Sequence, residues 1–258
     1  MKIIDSHIHL DLYKMGDIDE IKNDLKTKGD RAVTVSFHLE SCRKNLEVAE
    51  QGVIYPAFGF HPEQPLPTQN EIEALLKWME QNQDQMVAVG EVGLPYYRKQ
   101  EHGVTASEYE QYVNLLEKFI MFAKEWEKPI ILHAVYDDAP VVVELLEKYG
   151  VKKAQFHWFK GAETTIKRMI KNGYMISVTP DVCYEKEIQE LVKTYPLELM
   201  MVETDGPWPF EGPFKGHNTH PKMIHESVKQ IAFLKNITVE KVYKQMRKNT
   251  ENFFQITE

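Results

Sequence analysis

Short apolar runs, many of them β-branched, recur along the chain and alternate with longer stretches of helical periodicity. The runs fall at residues 2–5, 32–37 (AVTVSF), 53–60 (VIYPAFGF), 86–92 (MVAVGEV), 129–133 (PIILH), 154–158 (AQFHW), 174–178 (YMISV) and 199–203 (LMMVE). Near-continuous apolar runs of this length suit strands buried on both faces, as in a parallel sheet. Between them, residues 71–81, 108–128, 139–149, 164–172 and 185–195 space apolar side chains by three and four, the mark of a helix with one buried face. Gly150 and Gly173 suit helix C-termini, and Pro196 follows another helix. Residues 221–235 and 239–254 read as two further helices, with Thr238 placed to cap the second.

Eight strands alternating with helices over 258 residues predict an α/β fold, a single (β/α)8 TIM barrel. No repeat, low-complexity tract or Ser/Gly linker divides the chain, so residues 1–258 read as one domain. An open doubly wound sheet is the alternative, but no GxGxxG follows the first strand, which weighs against dinucleotide binding.

Composition narrows the function classes. The net charge of −8 argues against a broad duplex-DNA footprint, which needs clustered Lys and Arg. It leaves room for an enzyme that grips a few phosphates through metal ions, because bound cations reverse the local field. No apolar stretch approaches the length of a membrane span, and the opening Met-Lys-Ile-Ile-Asp lacks the apolar core of a secretory signal. Cys42 and Cys183 lie far apart, outside any metal-type spacing, and read as free thiols of a reducing compartment. A cytoplasmic location is expected, with no membrane partner and no obligate protein partner.

The polar residues are informative by position. The runs end in His7-Ile8-His9, His61, Glu91, His133, His157 and Glu203-Thr204-Asp205. In a barrel the C-terminal strand ends converge on one mouth, where catalytic groups sit. Residues i and i+2 of a strand share a face, so His7 and His9 can approach one ion. Imidazole and carboxylate together suit Zn2+, Mg2+ or Mn2+, and Glu91, with two oxygens, can bridge two divalent ions about 3.5–4 Å apart. Any one of these residues alone is an ordinary hydrogen-bonding or capping group; it is the joint set at successive strand ends that points to a metal site. His38, His102, His217, His220 and His225 lack such a setting and read as capping, surface or substrate-loop residues.

At these positions the chain resembles the TatD family of metal-dependent deoxyribonucleases, within the amidohydrolase-like barrels. The carrying motifs are Asp5-Ser6-His7-Ile8-His9-Leu10, Gly59-Phe60-His61-Pro62, Gly90-Glu91-Val92-Gly93-Leu94, Pro129 to His133, His157-Trp158-Phe159-Lys160-Gly161 and Glu203-Thr204-Asp205-Gly206-Pro207. The resemblance implies that His7, His9, Glu91 and Asp205 bind one ion, and Glu91, His133 and His157 a second. It implies that Asp205 also takes the proton of the attacking water and that His61 contacts the scissile phosphate, so Asp205, His61 and Glu91 form the catalytic set. The chain departs from the family pattern at Pro95-Tyr96-Tyr97, at Val135 and at His217 to Pro221. These positions leave the ligands in place and alter the substrate-facing rim.

The rim residues suggest how a substrate is held. Tyr96, Tyr97, Trp158, Phe159, Trp208, Phe210 and Phe214 follow strands four, six and eight, where aromatic rings can stack exposed bases at about 1–3 kcal/mol each. Arg98, Lys99, Lys160 and Lys215 are candidate phosphate contacts, and Tyr96, Tyr97, Arg98, Trp158, Lys160 and Trp208 make up the expected substrate-binding set. The expected substrate is single-stranded or end-frayed DNA, or a small phosphoester. An amidohydrolase or lactonase, and a metal-binding barrel without turnover, are the competing classes.

Overall fold

The structure is a computed structural model, and it describes residues 1–256. Eight strands lie side by side in chain order, every neighbouring pair parallel: β1 (Ile4–Ile8), β2 (Arg31–Thr34), β3 (Ile54–Phe58), β4 (Ala88–Gly93), β5 (Ile130–His133), β6 (Ala154–Phe156), β7 (Met175–Val178) and β8 (Met200–Val202). The sheet curls into a nearly closed TIM barrel. The seam is drawn together at the mouth, where Asp205 N–H donates to His7 O at 2.9 Å and His9 N–H donates to Gly206 O at 2.8 Å. Beneath those bonds the buried Asp5 carboxylate accepts the Thr204 N–H at 3.0 Å, tying β1 to the end of β8.

Among the described residues ten helices surround the strands: α1 (Met15–Lys28), α2 (Leu39–Val48), α3 (Gln69–Gln81), α4 (Tyr96–His102), α5 (Ala106–Glu125), α6 (Asp138–Tyr149), α7 (Glu163–Asn172), α8 (Lys186–Thr194), α9 (Ile224–Lys235) and α10 (Val239–Phe254). Gly150 and Gly173 end α6 and α7 in the left-handed conformation, as their positions predict. Thr238 caps α10 by accepting the Lys241 N–H. Three helices are not singled out by the apolar pattern. Helix α1 buries only Ile18, Ile21 and Leu25, and α2 buries mostly polar or small residues, so neither presents a dense apolar stripe. Helix α4 buries none of its residues.

Two layers of core fix the strand ends. The larger lies between sheet and helices. The smaller fills the barrel floor with Ile4, Val33, Ala57, Ala88, Ile131, Met175 and Met201 from seven strands, plugged by Phe253 and Phe254 of α10. Strict alternation from that floor would not deliver every polar residue to the mouth. In β1 the register slips by one residue between Asp5 and Ile8 against β2, and in β4 it slips between Val89 and Val92 against β5. Each slip is a bulge, which re-aims the side chains beyond it. Val89 and Val92 thus both pack outward, and Glu91 turns into the barrel.

Candidate metal centre

The two bulged strands carry the centre. His7, in β1, and His9, just beyond it, bring their Nε2 atoms within 3.3 Å of each other. Glu91 Oε2 lies 3.1 Å from His7 Nε2 and 3.2 Å from His9 Nε2. Asp205 Oδ1 lies 3.2 and 3.4 Å from the same two nitrogens. Four donors held about 2.0–2.1 Å from one ion at tetrahedral corners are about 3.3 Å apart, so these spacings fit a cation at their centre.

Glu91 turns its other oxygen to a second group. Oε1 lies 2.8 Å from His157 Nε2, 3.1 Å from His133 Nδ1 and 3.2 Å from His61 Nε2, and His133 Nδ1 is 3.1 Å from His157 Nε2. His61 differs from the other two. Its Nδ1 accepts the Glu63 N–H at 3.1 Å, which puts the ring proton on Nε2. Such an imidazole donates a hydrogen bond toward the centre and has no lone pair there for a metal.

The chemistry of the donor set fits divalent ions. Glu91 Oε2 and Asp205 Oδ1 are buried without a hydrogen bond among the described residues, and each lies among imidazole nitrogens. Burial opposes ionisation of both carboxyls, yet His157, His61 and His7 hold Glu91 well below the usual range, and His7 and His9 do the same for Asp205. Burial depresses His9, but Asp205 and Glu91 outweigh it and raise it to about 9. Burial lowers His61 to about 4, so it is neutral at neutral pH. Two anionic carboxylates shared among buried imidazoles form a cation-binding set.

Close backbone packing sets these positions. A Cβ on Gly93 would stand 1.9 Å from the His133 carbonyl oxygen, so only glycine lets β4 and β5 approach as they do. Gly206 lets the Tyr13 hydroxyl reach the turn after Asp205, where a Cβ would again meet it at 1.9 Å. Asp205 itself has φ 48° and Trp158 φ 38°. A Trp in the left-handed region is uncommon. Its N–H donates to Glu203 Oε1 at 2.8 Å and its indole N–H to Asp181 Oδ2 at 2.6 Å.

A cavity of about 590 Å3 opens onto the centre at Asp205, His61, His133 and His157. Its walls include Tyr97, Trp158, Lys160 and Trp208. Tyr96 and Arg98, also expected at the rim, do not line it. Tyr96 packs on Tyr136 with ring centroids 4.9 Å apart, and Arg98 contributes its backbone N–H, which donates to Glu63 Oε2 at 2.6 Å. Phe159 is buried in the main core, and Phe210 and Phe214 are buried with Met223 in a separate cluster. Lys99 pairs with Asp138 at 2.8 Å and Lys215 with Glu211 at 3.0 Å. The lone histidines are capping or packing groups: His38 accepts the Ser41 N–H, His220 the Lys222 N–H, and His225 meets the Tyr243 hydroxyl at 2.6 Å.

Phe37 and Glu63 are given no role by the sequence pattern, and Glu203 stands there only as a strand-end carboxylate outside the expected ligand set. Phe37 stacks on His61 with centroids 4.2 Å apart. Glu203 lies 3.7 Å behind His157, its Oε1 facing Nδ1. Glu63 lies 2.9 Å behind His133, its Oε1 on Nε2. Glu203 closes the eighth apolar run, whereas Glu63 lies in the loop after β3, where strand patterning flags nothing.

Comparison with known proteins agrees with this geometry. Residues 4–255 match the model of the family described as TatD related DNase. A Haemophilus influenzae protein described as an uncharacterized metal-dependent hydrolase is 35% identical over 98% of this chain and 100% of its own length. Human deoxyribonuclease TATDN3 is 29% identical over 98% of this chain and 94% of its length. The solved structure of the TatD homologue YjjV from Escherichia coli superposes with a TM-score of 0.86 at 23% identity, covering 99% of this chain and 98% of that one, a likeness of fold. With its barrel, its clustered histidines and carboxylates and this match from end to end, the chain belongs to the TatD family of metal-dependent hydrolases.

Proposed function

We propose that the chain hydrolyses phosphodiester bonds at the ends of DNA strands, at a centre where His7, His9, Glu91 and Asp205 would hold one divalent ion and Glu91, His133 and His157 a second. The observation that carries this reading is the two-sided use of Glu91, with Oε2 among His7, His9 and Asp205, and Oε1 among His133 and His157. When bound there, paired divalent ions supply activated water and neutralise charge on the phosphate. The protein side of the mechanism follows from the positions described. Asp205 is ionised and reaches the cavity, so it orients the attacking water and takes its proton. His61, neutral and protonated on Nε2, donates a hydrogen bond to a non-bridging phosphate oxygen. Tyr97 and Trp208, each 42% exposed, offer faces on which a terminal base can stack. The name of the human relative supports DNA as the polymer.

One observation favours a second reading, a small phosphoester. Of the cations expected at the rim, Lys160 alone lines the cavity, beside the carboxylates Glu63 and Glu101. That is thin provision for a long polyanion and adequate for a short substrate. The protein, loaded with Mg2+, Mn2+ or Zn2+ in turn, should be offered end-labelled single-stranded DNA, a chromogenic phosphodiester and a set of esters and lactones. Phosphodiester cleavage with stepwise loss from a DNA end is expected. Turnover of lactones without turnover of phosphoesters would defeat the proposal.

A further inference from the structure

We infer that Glu63 is the positioning residue of the His133 side of the centre, its carboxylate holding the His133 proton on Nε2 so that the Nδ1 lone pair faces inward. The inference rests on the reading of the centre as metal-binding. His133 points Nδ1 at Glu91 Oε1 and His157 Nε2, each 3.1 Å away, and Nε2 at Glu63 Oε1, 2.9 Å away. A neutral imidazole carries one N–H, and a carboxylate can only accept. Glu91 Oε1, facing Nδ1, is an acceptor too, so it is a cation claiming the Nδ1 lone pair that would leave the ring proton on the Glu63 side. A carboxylate behind a ligating imidazole fixes its tautomer and raises its basicity.

The same carboxylate has a second task. Oε1 also accepts the Tyr97 N–H at 2.9 Å, and Oε2 accepts the Arg98 N–H at 2.6 Å, seating the start of α4. One side chain thus joins a ligand to the helix that carries the Tyr97 wall of the cavity. Three N–H donors share two acceptor oxygens, and a glutamine here has only one. Its amide must face at least one of those donors with another N–H. The backbone of Glu63 acts separately, through the N–H it gives His61 Nδ1. That contact survives any side-chain change at the position, so His61 serves as an internal control.

The test uses the full chain, Zn2+ as probe, and the variants Glu63→Gln and Glu63→Ala. Stepwise Zn2+ affinities come from competition with a chromogenic chelator. Ring-proton positions come from two-bond 15N–1H spectra of histidine-labelled, Zn2+-loaded protein, assigned with H133N and H61N. Wild type should bind two ions. Both variants should bind one of them about 10–100-fold more weakly and the other within twofold. The His133 Nε2–H resonance should lose its hydrogen-bonded shift while the His61 Nε2–H resonance keeps its own. Unchanged affinities with an unchanged His133 signature would show that Glu63 merely caps α4, and would overturn the inference. So would an equal loss at both ions together with a disturbed His61. Glu63→Gln is isosteric and decides the matter if Glu63→Ala does not fold. A wild type that binds no Zn2+ overturns the metal reading itself, whereas two ions in wild type and unaltered binding in Glu63→Gln overturn only this inference.

Discussion

The floor of the mouth and its rim are built by different means. On the floor, His7, His9, Glu91, His133, His157 and Asp205 stand on or just beyond strands, and none is more than 7% exposed. Their spacing is set by the sheet, by two bulges and by glycines that allow no side chain. On the rim, Tyr97 and Trp208 ride on α4 and the loop after β8, and both are 42% exposed. The floor is held by packing that any substrate must accept, while the rim is held by a few polar contacts and can vary. Reaction type should therefore follow the floor and substrate preference the rim.

The largest expected effect tests the floor. Glu91→Ala removes an oxygen from both halves of the centre at once. Metal content should fall from two ions toward none, and turnover of every substrate should drop by roughly 10^3–10^5-fold, the scale of losing a residue on which the whole site depends. Elemental analysis of the dialysed protein and rates on a chromogenic phosphodiester check this. Retained metal with near-normal turnover would mean that Glu91 bridges nothing.

Next comes the packing beneath the floor. Gly93→Ala drives a Cβ against a backbone carbonyl, which cannot step aside, whereas Gly206→Ala meets the tip of the Tyr13 side chain, which can. Overpacking of this kind costs about 1–3 kcal/mol or more. At about 2–4 °C per kcal/mol for a chain of this size, Gly93→Ala should lower Tm by about 2–12 °C and Gly206→Ala by less. Equal melting temperatures would show that the β4–β5 approach is not tight.

The contrast also explains what can be read from the sequence. The barrel is legible because eight buried strands demand near-continuous apolar runs, and a run is visible in one dimension. The floor is legible because a residue at a strand end reaches the mouth whatever lies between strands. Glu91 is the instructive case. Its place in the Gly-Glu motif is plain in the sequence, but strict alternation from Ala88 would face it outward, and the bulge that turns it inward has no periodic signature. Glu63 and Phe37 act from loops, and no spacing rule links residue 63 to residue 133. The rim was legible only as composition. Aromatic residues after strands four, six and eight were visible, but burial divides them, sending Phe159, Phe210 and Phe214 into cores and leaving Tyr97, Trp158 and Trp208 on the cavity.

Rim variants should separate substrates that floor variants do not. Tyr97→Ala and Trp208→Ala each remove one stacking face, worth about 1–3 kcal/mol per base. For single-stranded DNA, KM should rise by roughly 5–150-fold, while kcat/KM for a small chromogenic phosphodiester stays within about twofold. Steady-state kinetics on both substrates decide it. A parallel loss on the small ester would place these rings in the floor's machinery and dissolve the distinction drawn here.

The smallest effect concerns charge. The Lys160 ammonium lines the cavity and makes no ion pair among the described residues, whereas Lys99 and Lys215 are paired. A lone cation at a cavity mouth is placed to meet one phosphate. Lys160→Met keeps most of the apolar stem and removes the charge. Each phosphate contact released contributes about 0.7 to the slope of log affinity against log salt for a single strand. The variant should therefore lose about two- to fivefold in kcat/KM on single-stranded DNA at low salt, and its salt slope should be shallower by about 0.7. On the small phosphodiester, whose one phosphate is held at the floor, neither quantity should change. An unaltered slope on DNA would mean that no phosphate beyond the scissile one is gripped at this rim, and the small-phosphoester reading would then displace DNA.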